Sequence, residues 1–466
     1  MIEKIESNPI NKRSLIAGFI GNILEWYDFT VYGFFATVIG AQFFPDEDKI
    51  VQLIAAFGVF AAGYLMRPIG GIIFGHIGDK YGRKKALMIS VLLMAIPTTL
   101  IGFLPTYENI GWYSAALLVI LRLFQGLSVG GEFTGSISFL VEKAPKEKRG
   151  FYGSWSTFGV FGGMLLGSGI ASLITGLLST EELHDFGWRI PFLFGAVIGV
   201  IGIYLRKGMG DDTYYDKNKK EYISAKTPLA EFWANYKMQA VKIMLLSWAF
   251  GVSVYLIFIF LPSYLHTFHN VKLEDALSAH TIAIIVLMLI IPLFGFISDK
   301  IGRKKVLFMS LIGFTIFTYP LFALMFENTY MAILIAMLAF SVFEAMFQAV
   351  IPALMTESFP TNVRYTGISV SYNISLALFG GTTPVLCTWL IKVSGGNVWM
   401  PAYYLIVTCI IAILTALFMP ETYKNELDEF LIRLFFTTVV LNSIRIFFKY
   451  KAFTLKKGVY LLPLPK

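Results

Sequence analysis

The chain has 466 residues, 56% of them hydrophobic, 16% aromatic and only 15% charged. Soluble domains sit near about 25% charged, so this chain cannot cover itself with polar surface, and lipid must be its solvent. The net charge of +8 is therefore not a nucleic-acid footprint. Cys387 and Cys409 both fall in apolar runs, which excludes a disulfide framework, and the five histidines carry no metal-ligand spacing.

Apolar runs of about twenty residues recur along the whole chain, the length a membrane helix needs. In hydrocarbon every backbone polar group must be satisfied internally, and runs this long and continuous predict helices, not barrel strands. In chain order the spans are expected near 14–40, 50–75, 86–104, 112–141, 150–178 and 188–205, then near 240–265, 276–298, 305–325, 329–356, 365–392 and 399–419. Residues 1–13 form a short N-terminus, retained because Glu25 and Asp28 interrupt the first apolar run and no cleavage site follows. The polar stretch 206–239, with its lysine cluster at 217–220, reads as a solvated linker between bundles at 14–205 and 240–419. Residues 420–466 form a tail. Its apolar run at 430–448, broken by Arg433 and Arg445, is expected to lie on the membrane surface as an amphipathic helix.

Nearly all lysines and arginines fall in alternate connections and in the two termini. The opposite connections hold only Lys49, Lys272 and Lys392. Under the positive-inside rule both termini are cytoplasmic.

The two bundles repeat one another. Gly75-His-Ile-Gly-Asp79-Lys80-Tyr-Gly82-Arg83-Lys84-Lys85 recurs as Gly295-Phe-Ile-Ser-Asp299-Lys300-Ile-Gly302-Arg303-Lys304-Lys305, and Glu142 with Arg149 recurs as Glu357 with Arg364. Duplicated six-helix bundles are the architecture of a rocking transporter with its site at the midplane between them.

The loop motif resembles the signature of the major facilitator superfamily. Asn22-x-x-Glu25-Trp26-Tyr27-Asp28-Phe29, Arg67-Pro68-Ile-Gly70-Gly71, Gln125-Gly126-x-Ser128-x-Gly130-Gly131-Glu132 and Gly187-Trp188-Arg189-Ile190-Pro191-Phe192 are similar to the metabolite:proton symporter family. Met400-Pro401-Ala402-Tyr403-Tyr404-Leu405 is most similar to its proline/betaine transporter branch. The resemblance implies twelve helices in two pseudo-symmetric bundles and uptake of proline, glycine betaine or related zwitterions with protons across a bacterial inner membrane. The proton gradient is then the driving force, and no cofactor is implied.

Within the motifs, Asp79, Arg83, Glu142 and Arg149, and their counterparts Asp299, Arg303, Glu357 and Arg364, suit a cytoplasmic gate of ion pairs that forms and breaks as the halves rock. Ionisable groups inside spans cost free energy and mark function by default. Asp28 and Arg122 lie at matching depth on spans 1 and 4 and can pair; Arg67 and Glu132 are a second such match. Asp28, Glu25 and Glu132 are the carboxyls suited to proton coupling. Arg122, Arg67 and Glu344 are expected to face the substrate cavity. Trp26, Tyr27, Trp155 and Tyr255 are expected to hold a cationic head by cation–π attraction. Arg189, four residues after Asp185, reads as a surface pair at a helix start.

Two other readings share this fold: symport of an organic acid (2-oxoglutarate, citrate or shikimate type), which several intramembrane arginines would suit, and passive facilitation. An ATP-driven pump is excluded, because the chain has no Gly-Lys dipeptide and hence no P-loop. The expected partners are a small-molecule substrate, protons and the lipid bilayer; no enzyme activity is implied.

Overall fold

Hydrocarbon forces the backbone to bond to itself, and every regular element among the described residues is helical. The computed structural model describes residues 12–81, 83–128, 130–207, 228–360, 363–425 and 427, and within them not the side chains of 12–19, 24, 75–81, 83–87, 132, 205–207 and 228–231.

Twelve rods follow in chain order. Span 1 is Lys12–Phe34, continued after a break by Ala36–Phe43. Span 2 runs Lys49–Leu65 and, past a turn at Met66, Arg67–Tyr81. Span 3 is Arg83–Phe103, span 4 is Trp112–Ser128 with Glu132–Glu142, span 5 is Arg149–Leu177 and span 6 is Arg189–Lys207. Span 7 is Lys237–Tyr255 and continues to His269, span 8 is Leu273–Ile301 and span 9 is Arg303–Met325. Span 10 is Tyr330–Glu357, span 11 runs from Arg364 to Val393 and span 12 is Met400–Leu417. Nine of the described helices are long and apolar enough to cross a membrane by composition, and span 6 with the short Thr180–Gly187 segment makes a tenth, bent by 46°.

Several rods overrun the lengths expected from hydropathy. Span 8, for one, extends to Ile301 because the polar loop motif is itself wound into the helix end. The stretch 206–239, expected as a linker, contains a helix at Pro228–Asn235, whose Phe232 is buried against Phe359. Eight residues (Pro-Leu-Ala-Glu-Phe-Trp-Ala-Asn) are too few for a membrane-length apolar run, so hydropathy alone missed it. The tail run 430–448 lies outside the described residues.

Spans 1–6 form one bundle and 7–12 the other. They meet along spans 5 and 8, and again where span 2 touches span 11. Glycines set the closest approaches. A Cβ on Gly126 would sit 1.9 Å from the Gly63 carbonyl oxygen, and one on Gly70 would sit 1.9 Å from that of Leu127. Spans 2 and 4 thus cross backbone against backbone, which is why the Arg67-Pro68-Ile-Gly-Gly and Gln125-Gly126 motifs are glycine-rich. From that crossing Arg67 and Arg122 each reach a carboxylate on span 1.

Candidate functional site: buried ion pairs facing an aromatic box

Span 1 carries two acids three residues apart, and each finds its own arginine. Arg122 of span 4 donates to Asp28 Oδ2 at 3.2 Å. The other oxygen, Oδ1, accepts from Thr98 of span 3 at 2.6 Å and from Gln125 at 2.8 Å. The Arg122 guanidinium also lies 3.8 Å above the Tyr32 ring centroid. Arg67 donates to Glu25 Oε1 at 2.8 Å. All four charged side chains are at most 3% exposed. A buried ion pair compensates the desolvation of both charges, and removing one partner costs about 3–5 kcal/mol.

The depth argument matched Arg67 with Glu132. The structure pairs Arg67 with Glu25; the Glu132 side chain lies outside the described residues. Thr98 and Gln125 had no charge to draw attention, although Gln125 stands in the glycine motif one turn after Arg122. Beside Asp28 is a cavity of about 10 Å³ lined by Tyr27, Met94, Thr98 and Gly195 among others, close to the room one water needs.

Opposite Arg67, the second bundle supplies aromatics. Tyr255 ends the regular part of span 7, just before a π-turn at Leu256–Phe260, and Tyr372 stands before a second π-turn at Leu376–Gly380 on span 11. Tyr255 lies 5.8 Å from Trp26 and 5.1 Å from Tyr64 between ring centroids, and Arg67 lies 5.0 Å from the Tyr64 centroid. Glycine makes the room: a Cβ on Gly381 would sit 2.3 Å from the Tyr64 ring. Every ring of this box is buried, yet the hydroxyls of Tyr64, Tyr255 and Tyr372, the Trp26 Nε1 and the Arg67 Nε and Nη1 meet no partner at hydrogen-bonding geometry. Buried polar groups are almost always satisfied, so a cluster of unsatisfied donors marks a place where something polar binds.

Tyr64 and Tyr372 were not legible as site residues, since neither is distinguished from the many other tyrosines by any motif. Tyr27 leaves the aromatic set. The Tyr27 hydroxyl donates to the Pro191 carbonyl at 2.7 Å inside the first bundle; Trp155 of span 5 has ring contacts with Phe151 and Phe158 of its own helix. Glu344, expected in the cavity, sits inside the second bundle, hydrogen-bonded by Gln348 at 2.6 Å with Ser253 of span 7 in reach. Ser253 and Tyr255 are two residues apart, so about 200° around the helix, which turns Glu344 away from the aromatic box. Arg189 does not pair with Asp185. The π-turn Leu183–Gly187 ends in a half-turn that directs it instead to the carbonyls of Gly102 and Leu104, at 3.2 and 2.6 Å.

At the end of the bundles carrying the Gly-Arg-Lys-Lys loop, ion pairs join the halves. Asp299 of span 8 accepts from the backbone N–H groups of Gly150 and Phe151, at 2.7 and 2.8 Å, at the start of span 5 in the other half. A carboxylate at a helix N-terminus satisfies orphan donors and meets the positive end of the helix dipole. Arg303 bridges Asp299 at 2.7 Å and Glu357 at 3.1 Å, and Arg364 reaches across to Glu142 at 2.8 Å. Arg149 donates to the Asn425 carbonyl at 2.9 Å. Gly302 has φ +106°, a conformation that favours glycine, and it opens span 9 so that Glu421 accepts from the N–H groups of Arg303 and Lys304 at 3.0 Å each. Asp79 and Arg83 have their side chains outside the described residues. At the opposite end Lys392 of span 11 pairs with Asp48 of the first half at 2.7 Å, and its ammonium holds the exposed Asp48 carboxyl below its ordinary range.

Two duplicated six-helix bundles enclosing a buried polar site, with ion pairs across both ends, define a membrane transporter. The Major Facilitator Superfamily profile matches residues 18–291, and the profile described as "Sugar (and other) transporter" matches residues 207–432. The chain is 36% identical over 427 residues to the "Proline/betaine transporter" of Escherichia coli (strain K12), covering 89% of this chain and 85% of that protein. It is also 36% identical to the "Glycine betaine/proline/ectoine/pipecolic acid transporter OusA" of Dickeya dadantii, over 89% and 84%, and 35% identical to a "Putative proline/betaine transporter" of Staphylococcus aureus, over 88% of each. Among solved structures, a D-xylose–proton symporter superposes with a TM-score of 0.69 at 19% identity, covering 89% of this chain and 99% of that one. The proton:xylose symporter XylE bound to 6-bromo-6-deoxy-D-glucose gives 0.71 at 19% identity, over 88% and 96%. The chain belongs to the major facilitator superfamily, and it is a multi-pass membrane transporter, not an enzyme.

Proposed function

We propose that the protein takes up a small zwitterion, proline or glycine betaine in type, together with protons, by alternating access across a bacterial inner membrane with both termini cytoplasmic. The observation that carries this reading is charge balance. Arg67 and Arg122 each have a buried carboxylate, so the site offers a guanidinium with free N–H groups and yet no surplus positive charge. A dicarboxylate would need that surplus; a zwitterion brings its own balance. Its carboxylate would take the unpaired edge of Arg67, and its cationic head would lie against Trp26, Tyr64 and Tyr255, with Glu25 beside it. The names carried by the relatives point the same way.

Asp28 is the proton site of this reading. It is buried, it can be discharged by moving Arg122 away, and it has room for a water beside it. Glu25 and Glu132 are the further carboxyls on the same route. The ion pairs of Asp299, Arg303, Glu357, Arg364 and Glu142, with Arg149, Asp79 and Arg83, form the cytoplasmic gate, between bundles bounded at 14–205 and 240–419.

The test is uptake into proteoliposomes under an inward proton gradient, comparing labelled proline, glycine betaine and 2-oxoglutarate. Gradient-driven uptake of proline or betaine is the expected result. Uptake of 2-oxoglutarate alone overturns the substrate class, and uptake insensitive to the gradient overturns the coupling.

A further inference from the structure

Among the described residues, the buried carboxylates Glu25, Asp28, Asp299 and Glu357 all have an arginine within salt-bridge distance. Glu344 does not. It stands midway along span 10, with no exposed surface, and no lysine, arginine or histidine lies within 4.0 Å of it. Its Oε1 accepts from Gln348 Nε2, while its Oε2 and the Gln348 Oε1 both lack a donor, the nearby Ser253 hydroxyl donating to the Phe250 carbonyl at 3.0 Å. Two acceptor oxygens without a donor, in the interior of a bundle, signal a missing hydrogen. An unpaired carboxylate there costs several kcal/mol, whereas the neutral acid supplies the absent donor.

We infer that Glu344 is a second proton-binding site, in the second bundle and separate from Asp28, loaded in the closed state and emptied as the halves rock. The groups facing it are Gln348 on its own helix, Ser253 on span 7 and the buried Cys409 on span 12, none of them a cation. Ionisable groups on the other neighbouring spans are engaged elsewhere: His280 of span 8 with Ser168 and the Phe258 carbonyl, Arg303 of span 9 with Asp299 and Glu357, Arg364 of span 11 with Glu142. The link to motion is one turn away. The Gln348 carbonyl accepts from Thr157 of span 5 in the other half at 3.1 Å, so separating the halves changes the surroundings of the Gln348–Glu344 bond. The inference rests on the proton-symport reading for its coupling, but not for the protonation itself.

Two measurements test it. Infrared spectra of the purified protein at neutral pH are expected to contain a protonated-carboxyl C=O band that Glu344→Gln lacks and Glu344→Asp retains; identical spectra for wild type and Glu344→Gln overturn the inference. In proteoliposomes, reversal potentials are expected to give one proton fewer per substrate for Glu344→Gln than for the wild type. An unchanged ratio reduces Glu344 to a static acid and overturns the coupling. Uptake that depends on sodium in the wild type and not in Glu344→Gln overturns it in favour of a sodium site. If the wild type takes up nothing under a proton gradient, the transport reading fails by itself, and the infrared band still decides whether Glu344 holds a proton.

Discussion

The two bundles share one fold and one loop motif, yet their interiors differ in kind. The first holds two arginine–carboxylate pairs beneath the aromatic box, and the second faces them with tyrosine hydroxyls and buries one acid without a cation. The loop motif is where the duplication persists in sequence, and in the second half its acid, Asp299, satisfies orphan N–H groups at the start of span 5. The interior is where the halves part, with ion pairs on one side of the aromatic box and tyrosine hydroxyls on the other.

The largest way to break that asymmetry is at Asp28. Asp28→Asn is expected to cut gradient-driven uptake by at least about a hundredfold, the low end of what a positioned proton donor or acceptor contributes, while exchange of labelled for unlabelled substrate without a gradient persists. Loss of both activities together would instead mark Asp28 as a structural partner of Arg122. Next comes Arg67→Lys, which keeps the charge opposite Glu25 and removes the planar fork. The concentration for half-maximal uptake should rise about 10–100-fold, in line with about 1.5–3 kcal/mol for a charged hydrogen bond.

Tyr255→Phe probes the opposite wall. It removes one unsatisfied hydroxyl and keeps the ring, so affinity is expected to fall by about 2–10-fold, whereas no change would leave only the ring in contact with the substrate. Smaller still are the exposed clasps. Glu142 is 41% exposed, so Glu142→Gln should shift the opening of the loop-motif end, read by labelling of engineered cysteines, by no more than about fivefold. At the other end, the depressed Asp48 carboxyl adds a contribution that is present above the ordinary carboxylate range and lost only as pH falls through its lower folded value. Labelling at that end should therefore be flat through neutral and mildly acid pH, and Asp48→Asn should raise it slightly at every pH.

Sequence by itself determined a great deal about this protein. Continuous apolar runs, the bias of lysine and arginine, and the repeated Gly-Arg-Lys-Lys loop carry local and additive signals, since each residue's transfer cost is the same wherever the other helices lie. That sufficed for twelve helices in two bundles, and matching depths along straight rods sufficed for Asp28 with Arg122. Tertiary structure alone decided the rest. Arg67 meets Glu25, Tyr255 of the second bundle comes against Trp26 and Tyr64 of the first, the Tyr27 hydroxyl turns inward to the Pro191 carbonyl, and Glu344 bonds Gln348 inside the second bundle. Depth is written in the hydropathy of a chain. Azimuth is not, because a few degrees of helix rotation or one irregular turn changes which neighbour a side chain meets without changing the composition of the span.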